Sequence, residues 1–380
     1  MRLRTSRKPR VAIIGTRGYP SFYGGFETAV RHIAPALVDA GWDVVVYGRA
    51  GVRVEAEQAD PRVDTRITGG IESRSLSTLS FGLTAVLDVL LRRRVDVALV
   101  MNVANGYWLP LLRLGGVRTA VNVDGIEWER AKWGPLAKFV FLTGARLTAI
   151  SANALIADAT GIAEYWRRRF SKQSTFIPYG ADEAEALPVP LDLRHRGYVL
   201  VVARFVPENT VSEFFDAVRT IAEEHDVVLV GSTGYGGELD DDAQQLADRY
   251  EHVRWLGHVA DDGLLHALWQ HAGVYFHGHS VGGTNPALVQ AMALGAPIVA
   301  LDTIYNREVL GPDHDWFVGP HAAQISAAVL QLIADRNAQE RASAQGVERA
   351  RTHYSWSDVN ARYEAVLRGL LKRRATRSAE

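Results

Sequence analysis

The chain has 380 residues, which is long enough for two domains that each bury a hydrophobic core. Its 42 basic and 43 acidic residues leave a formal net charge of -1, so the charge of the whole chain gives no reason to expect nucleic-acid binding. The absence of cysteine excludes a disulfide framework, thiolate catalysis and cysteine-ligated zinc, and it is consistent with a reducing, cytoplasmic location.

The first half of the chain alternates short apolar runs with segments of helical periodicity. The runs predict strands at 11–14, 42–47, 95–101, 119–123, 147–150 and 174–177. The periodic segments predict helices at 27–40, 77–93, 107–114, 135–145 and 152–169. Such alternation indicates a parallel sheet with helices on both faces.

A segment rich in proline and acidic residues, 178–190, interrupts this pattern and is interpreted as a linker. Strands are then predicted at 198–203, 226–230, 253–256, 274–277 and 297–300, each separated by a helix, and the pattern from 355 to 372 is helical. We therefore predict an α/β protein of two Rossmann-like, doubly wound domains that face a cleft. The predicted boundaries are 1–187 and 188–355, followed by a final helix and basic tail at 356–380.

No transmembrane segment is expected. The longest stretch without Asp, Glu, Lys or Arg, 263–301, is interrupted by histidines, glycines and amides, and the apolar run at 11–14 is too short for a signal peptide. Positive charge is concentrated at Arg2, Arg4, Arg7, Lys8 and Arg10 and again at 372–377. These termini are either solvated or bind an anionic membrane surface.

The first strand leads into a glycine-rich loop, 15–27, ahead of a helix. Backbone amides at a helix N-terminus favour a phosphate, although a loop whose glycines serve only a tight turn is the alternative. The spacing is neither that of a dinucleotide fingerprint, which disfavours a hydride-transfer dehydrogenase, nor that of a Walker loop.

Three further motifs follow predicted strands. Arg204 lies where it can bind a diphosphate, or else pair with Glu208 or Glu213. His277 and His279 precede a small-residue turn and a helix opened by Pro286; without a third ligand nearby they favour a packed or substrate-bonding role over a metal site.

The segment 122–133 mixes acids, bases and two tryptophans. It is interpreted as a sugar-binding segment, with an amphipathic surface helix as the alternative.

Taken together, five blocks resemble the GT4 family of glycosyltransferases, in particular its rhamnosyltransferase-like branch. They are YGGFE at 23–27, NVDGIEW at 122–128, IPYGAD at 177–182, ARFVPEN at 203–209 and HGHSVGGTNP at 277–286. The resemblance implies a GT-B fold, a nucleotide-sugar donor, retention of anomeric configuration, no metal or other cofactor, and a last helix that crosses back to the first domain.

The resemblance also implies roles for individual residues. Donor ligands would be Gly24, Gly25, Arg204, Asn209, Gly283, Thr284, Asn285 and Gln290, with Arg204 neutralising the leaving diphosphate. Asp124 would bind or deprotonate the acceptor, and Glu127, Trp128 and Arg130 would complete the acceptor site. The catalytic residues are thus expected to be Arg204 and Asp124.

Two positions depart from the family's pattern. The paired acids that many members carry eight residues apart are replaced by Gly282 and Gln290, and Asn209 stands where many relatives have a lysine. A neutral amide accepts a hydrogen bond that is about 1 kcal/mol weaker than the charged one.

We expect a retaining, metal-independent enzyme that transfers a sugar, best matched by L-rhamnose from dTDP-rhamnose, to a glycan or lipid-linked glycan acceptor in cell-surface polysaccharide synthesis. Its expected location is the cytoplasm, at most peripheral on the inner face of the membrane, and nucleic acid is not an expected partner. Alternatives are a UDP- or GDP-hexose donor, or a nucleotide-sugar-binding protein with weakened turnover.

Overall fold

A computed structural model describes residues 7–21, 24–52, 59–71, 77–92, 94–130, 133–183, 185–234 and 236–377. The chain divides into two compact units. The first unit comprises residues up to Tyr179 together with those from Trp356 onward, and the second comprises Gly180–Ser355.

The first unit contains a seven-stranded parallel sheet. Its strands are β1 (Arg10–Ile14), β2 (Asp43–Arg49), β3 (Asp64–Thr68), β4 (Val97–Met101), β5 (Arg118–Asn122), β6 (Ala154–Ala157) and β7 (Thr175–Phe176). Its helices are α1 (Gly25–Asp39), α2 (Ser77–Arg92), α3 (Leu109–Leu114), α4 (Pro135–Ser151), α5 (Thr160–Phe170) and α13 (Trp356–Arg377). The strand order is β3-β2-β1-β4-β5-β6-β7, with Ala12 of β1 opposite Val45 and Ala98.

The second unit contains a six-stranded parallel sheet in the order β10-β9-β8-β11-β12-β13. Its strands are β8 (Tyr198–Val202), β9 (Asp226–Val230), β10 (Val253–Trp255), β11 (Val274–His277), β12 (Ile298–Leu301) and β13 (Phe317–Val318). Its helices are α6 (Val211–Ile221), α7 (Glu238–Arg249), α8 (Asp262–His271), α9 (Pro286–Ala293), α10 (Ile304–Leu310), α11 (Ala322–Ala334) and α12 (Arg336–His353). The prediction of two doubly wound parallel-sheet domains is therefore confirmed.

The prediction of a strand at 147–150 is wrong, because these residues form the last turns of α4. Thr148 and Ala149 are buried on the same helix face as Gly144 and Ala145, which is helical and not strand periodicity. A four-residue apolar run cannot separate the two structures by pattern alone. The next strand is instead β6, within a segment predicted to be helical.

The last helix packs against the first unit, as the family resemblance implies. Trp356, Val359, Tyr363, Leu367 and Leu370 are buried in the same hydrophobic core as β1 and α1. The Trp356 ring stacks on His32 of α1 with a centroid distance of 4.0 Å. The first unit therefore depends on residues from both ends of the described chain.

The linker begins where the two cores separate. Tyr179 belongs to the first core, whereas Ala181 is buried in the second. Leu187 forms hydrogen bonds of 2.8 Å with Gln270 and His271 at the end of α8. The structure thus places 180–187 with the second unit, a few residues earlier than the sequence-based boundary.

No helix in the described residues is long and apolar enough to cross a membrane. At the basic N-terminal segment, Arg7 pairs with Asp96 at 2.9 Å and Arg10 with Asp43 at 2.7 Å, which reduces the positive charge that this end offers to a partner. Arg2, Arg4 and the side chains at 372–377 lie outside the described residues.

Candidate functional site

Both sheets have a point where the strand order reverses, and the sequence motifs follow the strands on either side of it. In the second unit β8 lies between β9 and β11, and in the first β1 lies between β2 and β4. In open parallel sheets, ligands bind outside the carboxyl ends of the strands at such a point. Arg204 and His277 therefore lie at the expected edge of the second sheet, and the glycine-rich loop lies at that of the first.

Hydrogen bonds tie together the two loops at this edge of the second sheet. The Asn209 amide donates to the Arg204 carbonyl at 2.8 Å and is bonded to the His279 ring. The backbone N–H and hydroxyl of Ser280 both donate to the Glu208 carbonyl, at 2.9 and 2.7 Å. These bonds hold the turn after β8 against the loop after β11.

Gly278 allows this close approach. A Cβ at this position would lie 2.4 Å from the Asn209 carbonyl oxygen, so only glycine fits without moving the backbone. The carbonyl of Gly278 also accepts the Thr210 hydroxyl at 2.7 Å. The small residues of this motif therefore fix the relative position of the two loops.

The Arg204 side chain is exposed, directly after β8. Within the described part of the chain, no ion pair joins it to Glu208 or Glu213, the alternative partners considered from the sequence. Its backbone is held by Asn209, whereas its guanidinium keeps its hydrogen-bonding capacity. This side chain can bind a phosphate in two-pronged geometry.

His277 is a buried imidazole at the end of β11. Burial holds its pKa well below the ordinary value, and the nearby His279 acts in the same direction. Its Nδ1 is 3.0 Å from the Tyr275 hydroxyl, and its Nε2 is buried with no hydrogen-bond partner among the described residues. The His277 ring is therefore neutral and packed inside the protein. Among the described residues, no group of three or more His, Cys, Asp or Glu side chains could hold a metal ion.

Two predicted donor ligands, Asn285 and Gln290, have side-chain partners within the protein. Asn285 caps α9, its side-chain oxygen accepting the Ala287 N–H at 2.9 Å. Gln290 accepts the Asp182 N–H at 2.9 Å and donates to the Asp182 carbonyl at 3.3 Å. Both amides thus stabilise the protein itself, and Gln290 holds the linker where a ribose contact is predicted.

Gly283 and Thr284 lie in the same loop, Gly283 half-buried and Thr284 buried. The preceding Gly282 has a φ of +113°, a conformation that side chains with a Cβ rarely adopt. At the position where many family members carry the first glutamate of the pair, the backbone therefore has a conformation that favours glycine.

In the first unit, Gly24 immediately precedes α1 and Gly25 is its first residue. Glu27, in the first turn of α1, is buried and accepts the Arg17 backbone N–H at 3.2 Å, so it links the two ends of the glycine-rich loop. An acidic residue in a first helical turn is the sequence signal for this role. Tyr23 lies outside the described residues.

Asp124 follows β5 in a left-handed conformation, with a φ of +52°. Its N–H donates to the Asn122 side chain at 3.1 Å, and Asn122 in turn donates to the Tyr363 hydroxyl of α13 at 2.7 Å. Burial raises the pKa of Tyr179 well above its ordinary value, and the charges of Asp124 and Asp158 raise it further. Asp124 and Asp158 therefore both lie near Tyr179; sequence reasoning missed Asp158.

The structure gives Glu127, Trp128 and Arg130 structural contacts. Trp128 is buried in an aromatic cluster and donates to the Tyr165 hydroxyl at 3.0 Å. Its ring packs against Tyr165, Trp166 and Phe170. Trp128, which is predicted to help complete the acceptor site, is therefore covered by protein side chains and is only 7% exposed.

Glu127 and Arg130 form a nearly buried ion pair at 3.0 Å, and Glu127 also accepts the Trp133 indole N–H at 2.7 Å. These two predicted acceptor residues thus bind each other. Of the four predicted acceptor residues, Asp124 lies nearest the carboxyl end of β5, and it is half-buried.

Comparison with known families matches both units. The model described as glycosyl transferase 4-like domain matches residues 24–180, and the model described as glycosyl transferases group 1 matches residues 190–349. The chain belongs to the GT4 (group 1) glycosyltransferase family. The chain is 29% identical over 195 residues to O-antigen chain mannosyltransferase B of Escherichia coli, covering 49% of each chain. It matches about half the length of the first curated relatives.

Solved structures resemble the chain over almost its whole length. Sucrose-phosphate synthase of Thermosynechococcus elongatus superposes with a TM-score of 0.79 at 18% identity, covering 96% of this chain and 100% of that one. Anabaena HepE, solved in complex with UDP and glucose, gives a TM-score of 0.74 at 15% identity, covering 95% and 99%. At these identities the likeness establishes the fold alone, which is GT-B.

Proposed function

We propose that this protein is a retaining, metal-independent glycosyltransferase that moves a sugar from a nucleotide-diphosphate donor to a glycan or lipid-linked glycan in cell-surface polysaccharide synthesis. The observation that carries the proposal is the exposed Arg204 guanidinium at the carboxyl end of β8, which forms no ion pair with Glu208 or Glu213 in the described structure. A departing diphosphate needs positive charge at such a place. Membership in a glycosyltransferase family supports this assignment.

In the proposed reaction the bond between the sugar and the diphosphate breaks as the sugar becomes oxocarbenium-like. Arg204 and backbone amides stabilise the negative charge that develops on the leaving oxygens. The acceptor hydroxyl attacks the same face of the sugar, and the departing phosphate takes its proton. Asp124 is the proposed acceptor-binding residue. The other proposed donor ligands are Gly24, Gly25, Asn209, Gly283, Thr284, Asn285 and Gln290.

For the donor sugar we propose L-rhamnose from dTDP-rhamnose, on the resemblance of the blocks at 203–209 and 277–286 to the rhamnosyltransferase-like branch. A mannose or glucose donor is the alternative, favoured by the mannosyltransferase relative and by HepE, which was solved with UDP and glucose. Thermal shift with dTDP-, GDP- and UDP-sugars separates these candidates, because a ligand that binds only the folded state raises the melting temperature.

The decisive experiment replaces Arg204 by alanine and measures sugar transfer with the donor that gives the largest thermal shift. We expect kcat/KM to fall by at least about 100-fold while the melting temperature of the free protein is unchanged. Arg219→Ala is the matched control, because Arg219 is also exposed in the second unit and pairs with Asp216 at 3.4 Å. Near-normal turnover by Arg204→Ala would disprove the assignment.

A second candidate function is a nucleotide-sugar-binding protein with weakened turnover. It is favoured by Gly282 and by Gln290, whose amide is bonded to the Asp182 backbone. Donor binding by thermal shift without hydrolysis or transfer, across a panel of acceptors, would establish this alternative.

A further inference from the structure

A row of large apolar side chains is exposed on α4 in the first unit. Leu136, Phe139 and Ile150 are 76%, 62% and 70% exposed, although each is a residue type normally buried. With Thr143 and Arg146, they follow the spacing of three and four residues that places side chains on one helix face. The exposed face of α4 is therefore a continuous stripe.

The opposite face of α4 is fully packed, so the stripe cannot turn inward. Gly144, Ala145, Thr148 and Ala149 are buried, and a Cβ at Gly144 would lie 2.6 Å from the Val103 carbonyl oxygen. Rotation of the helix about its axis would break this backbone-to-backbone contact. The orientation of the stripe toward the outside is thus fixed by the core.

The neighbouring helix α3 extends the apolar surface. Leu114, its last residue, is 85% exposed. The adjacent Arg113 donates to the Ile150 carbonyl at 3.3 Å, which places the end of α3 beside the end of α4. The α4 face, defined here as Leu114, Leu136, Phe139, Arg146 and Ile150, therefore spans two helices.

The charged residues of α3 and α4 are all basic. Neither α3 nor α4 contains an acidic residue, and no Asp or Glu occurs between Glu129 and Asp158 in the sequence. The bases of the two helices are Arg113, Lys138 and Arg146. Exposed apolar groups among the cations of these two helices complement a membrane surface that carries anionic lipid headgroups.

We propose that the α4 face docks this protein on a bilayer containing anionic phospholipid. Leu136, Phe139, Ile150 and Leu114 would enter the headgroup–acyl boundary, and Arg113, Lys138 and Arg146 would lie at the level of the lipid phosphates. The inference concerns a surface of the first unit and does not depend on the donor sugar or on the basic termini.

The test is flotation of the full chain with vesicles of phosphatidylcholine alone and of phosphatidylcholine mixed with phosphatidylglycerol. We expect wild type to float with the mixed vesicles only. The double substitution Leu136→Ser, Phe139→Ser should lower the bound fraction by about tenfold, since it removes the largest inserted groups but leaves both termini intact. Val347→Ser, at an exposed apolar position of α12, is the matched control and should bind like wild type.

Circular dichroism and thermal unfolding should be the same for all variants, because the substituted side chains are exposed. Arg146→Glu provides a second arm: it should weaken binding to the mixed vesicles without removing apolar area.

Equal flotation of wild type and the double variant would overturn the proposal by assigning binding to the termini. Failure of wild type to float would also overturn the proposal. If the double variant then differed from wild type in molar mass in solution, the α4 face would be identified as a contact between copies of the chain.

Discussion

Trp128 illustrates how far local sequence can mislead about a single residue. Acids, bases and tryptophans between 122 and 133 are typical of a sugar-binding segment, but the partners of Trp128 are Tyr165, Trp166 and Phe170, roughly forty residues further along the chain. Nothing near Trp128 in the sequence reveals that contact. In contrast, Arg204 could be placed correctly at a sheet edge, since it directly follows an apolar strand.

The aromatic cluster gives a test at Trp128. We expect Trp128→Ala to lower the free energy of unfolding by about 3–5 kcal/mol, because it leaves a large cavity and removes the donor to Tyr165. Trp128→Phe, which keeps an aromatic ring, should cost less. Urea unfolding measures both. A variant with unchanged stability and a raised acceptor KM would instead support a role of Trp128 in the acceptor site.

His314 gives a prediction of pH dependence. Burial lowers its pKa to about 4, although the Trp316 backbone and Asp315 act in the opposite direction. Below pH of about 6.5 the unfolded chain binds a proton that the folded protein does not, so stability should fall as the pH falls from there to about 4. The limit is about 1.4 kcal/mol per pH unit for this group.

His314→Gln removes that titration. Its unfolding free energy, measured with urea at several pH values, should therefore decrease less on acidification than that of wild type. Identical slopes for the two proteins would contradict the burial of a neutral imidazole at this position.

At the scale of elements, most strands could be predicted because parallel-sheet strands are nearly continuous apolar runs. The exceptions are informative. β3 is an edge strand with exposed side chains at its centre, so it lacks the apolar signal. The Leu-Thr-Ala-Ile run of α4 carries that signal but is helical. Its helix packs against the 3-10 turn at Val103–Trp108, a contact between segments that are distant in sequence.

The packing of α4 gives a prediction that opposes helix propensity. Gly144→Ala improves propensity by about 1 kcal/mol but sets a Cβ 2.6 Å from the Val103 carbonyl oxygen, so we expect net destabilisation of about 2 kcal/mol. Gly369→Ala in α13 is the matched control: nothing lies within 4 Å, and the same change should stabilise. Urea unfolding would contradict this interpretation if both substitutions had the same sign.

At the scale of the whole molecule, the resemblance implied that the last helix returns to the first domain. Composition alone does not predict this return, since the apolar stripe of the helix fits any core. The structure identifies the contacts: Tyr363 bonds to Asn122, and Leu367 is fully buried beside α1. The predicted domain architecture could thus be drawn from the sequence, whereas its contacts could not.

Leu367→Ala should therefore destabilise the first unit without destabilising the second. We expect a loss of about 2–5 kcal/mol and faster hydrogen exchange in α1, with no change in α12, although α12 is the neighbour of α13 in sequence. Arg362→Ala, at an exposed position of the same helix, is the control and should leave exchange in α1 unchanged. Equal acceleration of exchange in α12 would contradict the division into two units.

The return of α13 sets an order for events on the ribosome. Residues 180–355 are contiguous, so the second unit can fold as soon as its last residues are translated. The first unit begins earlier but lacks the side chains that cover α1 until 356–370 emerge. The unit that is translated first therefore finishes folding last. During that interval its exposed apolar surface is a binding site for a nascent-chain chaperone.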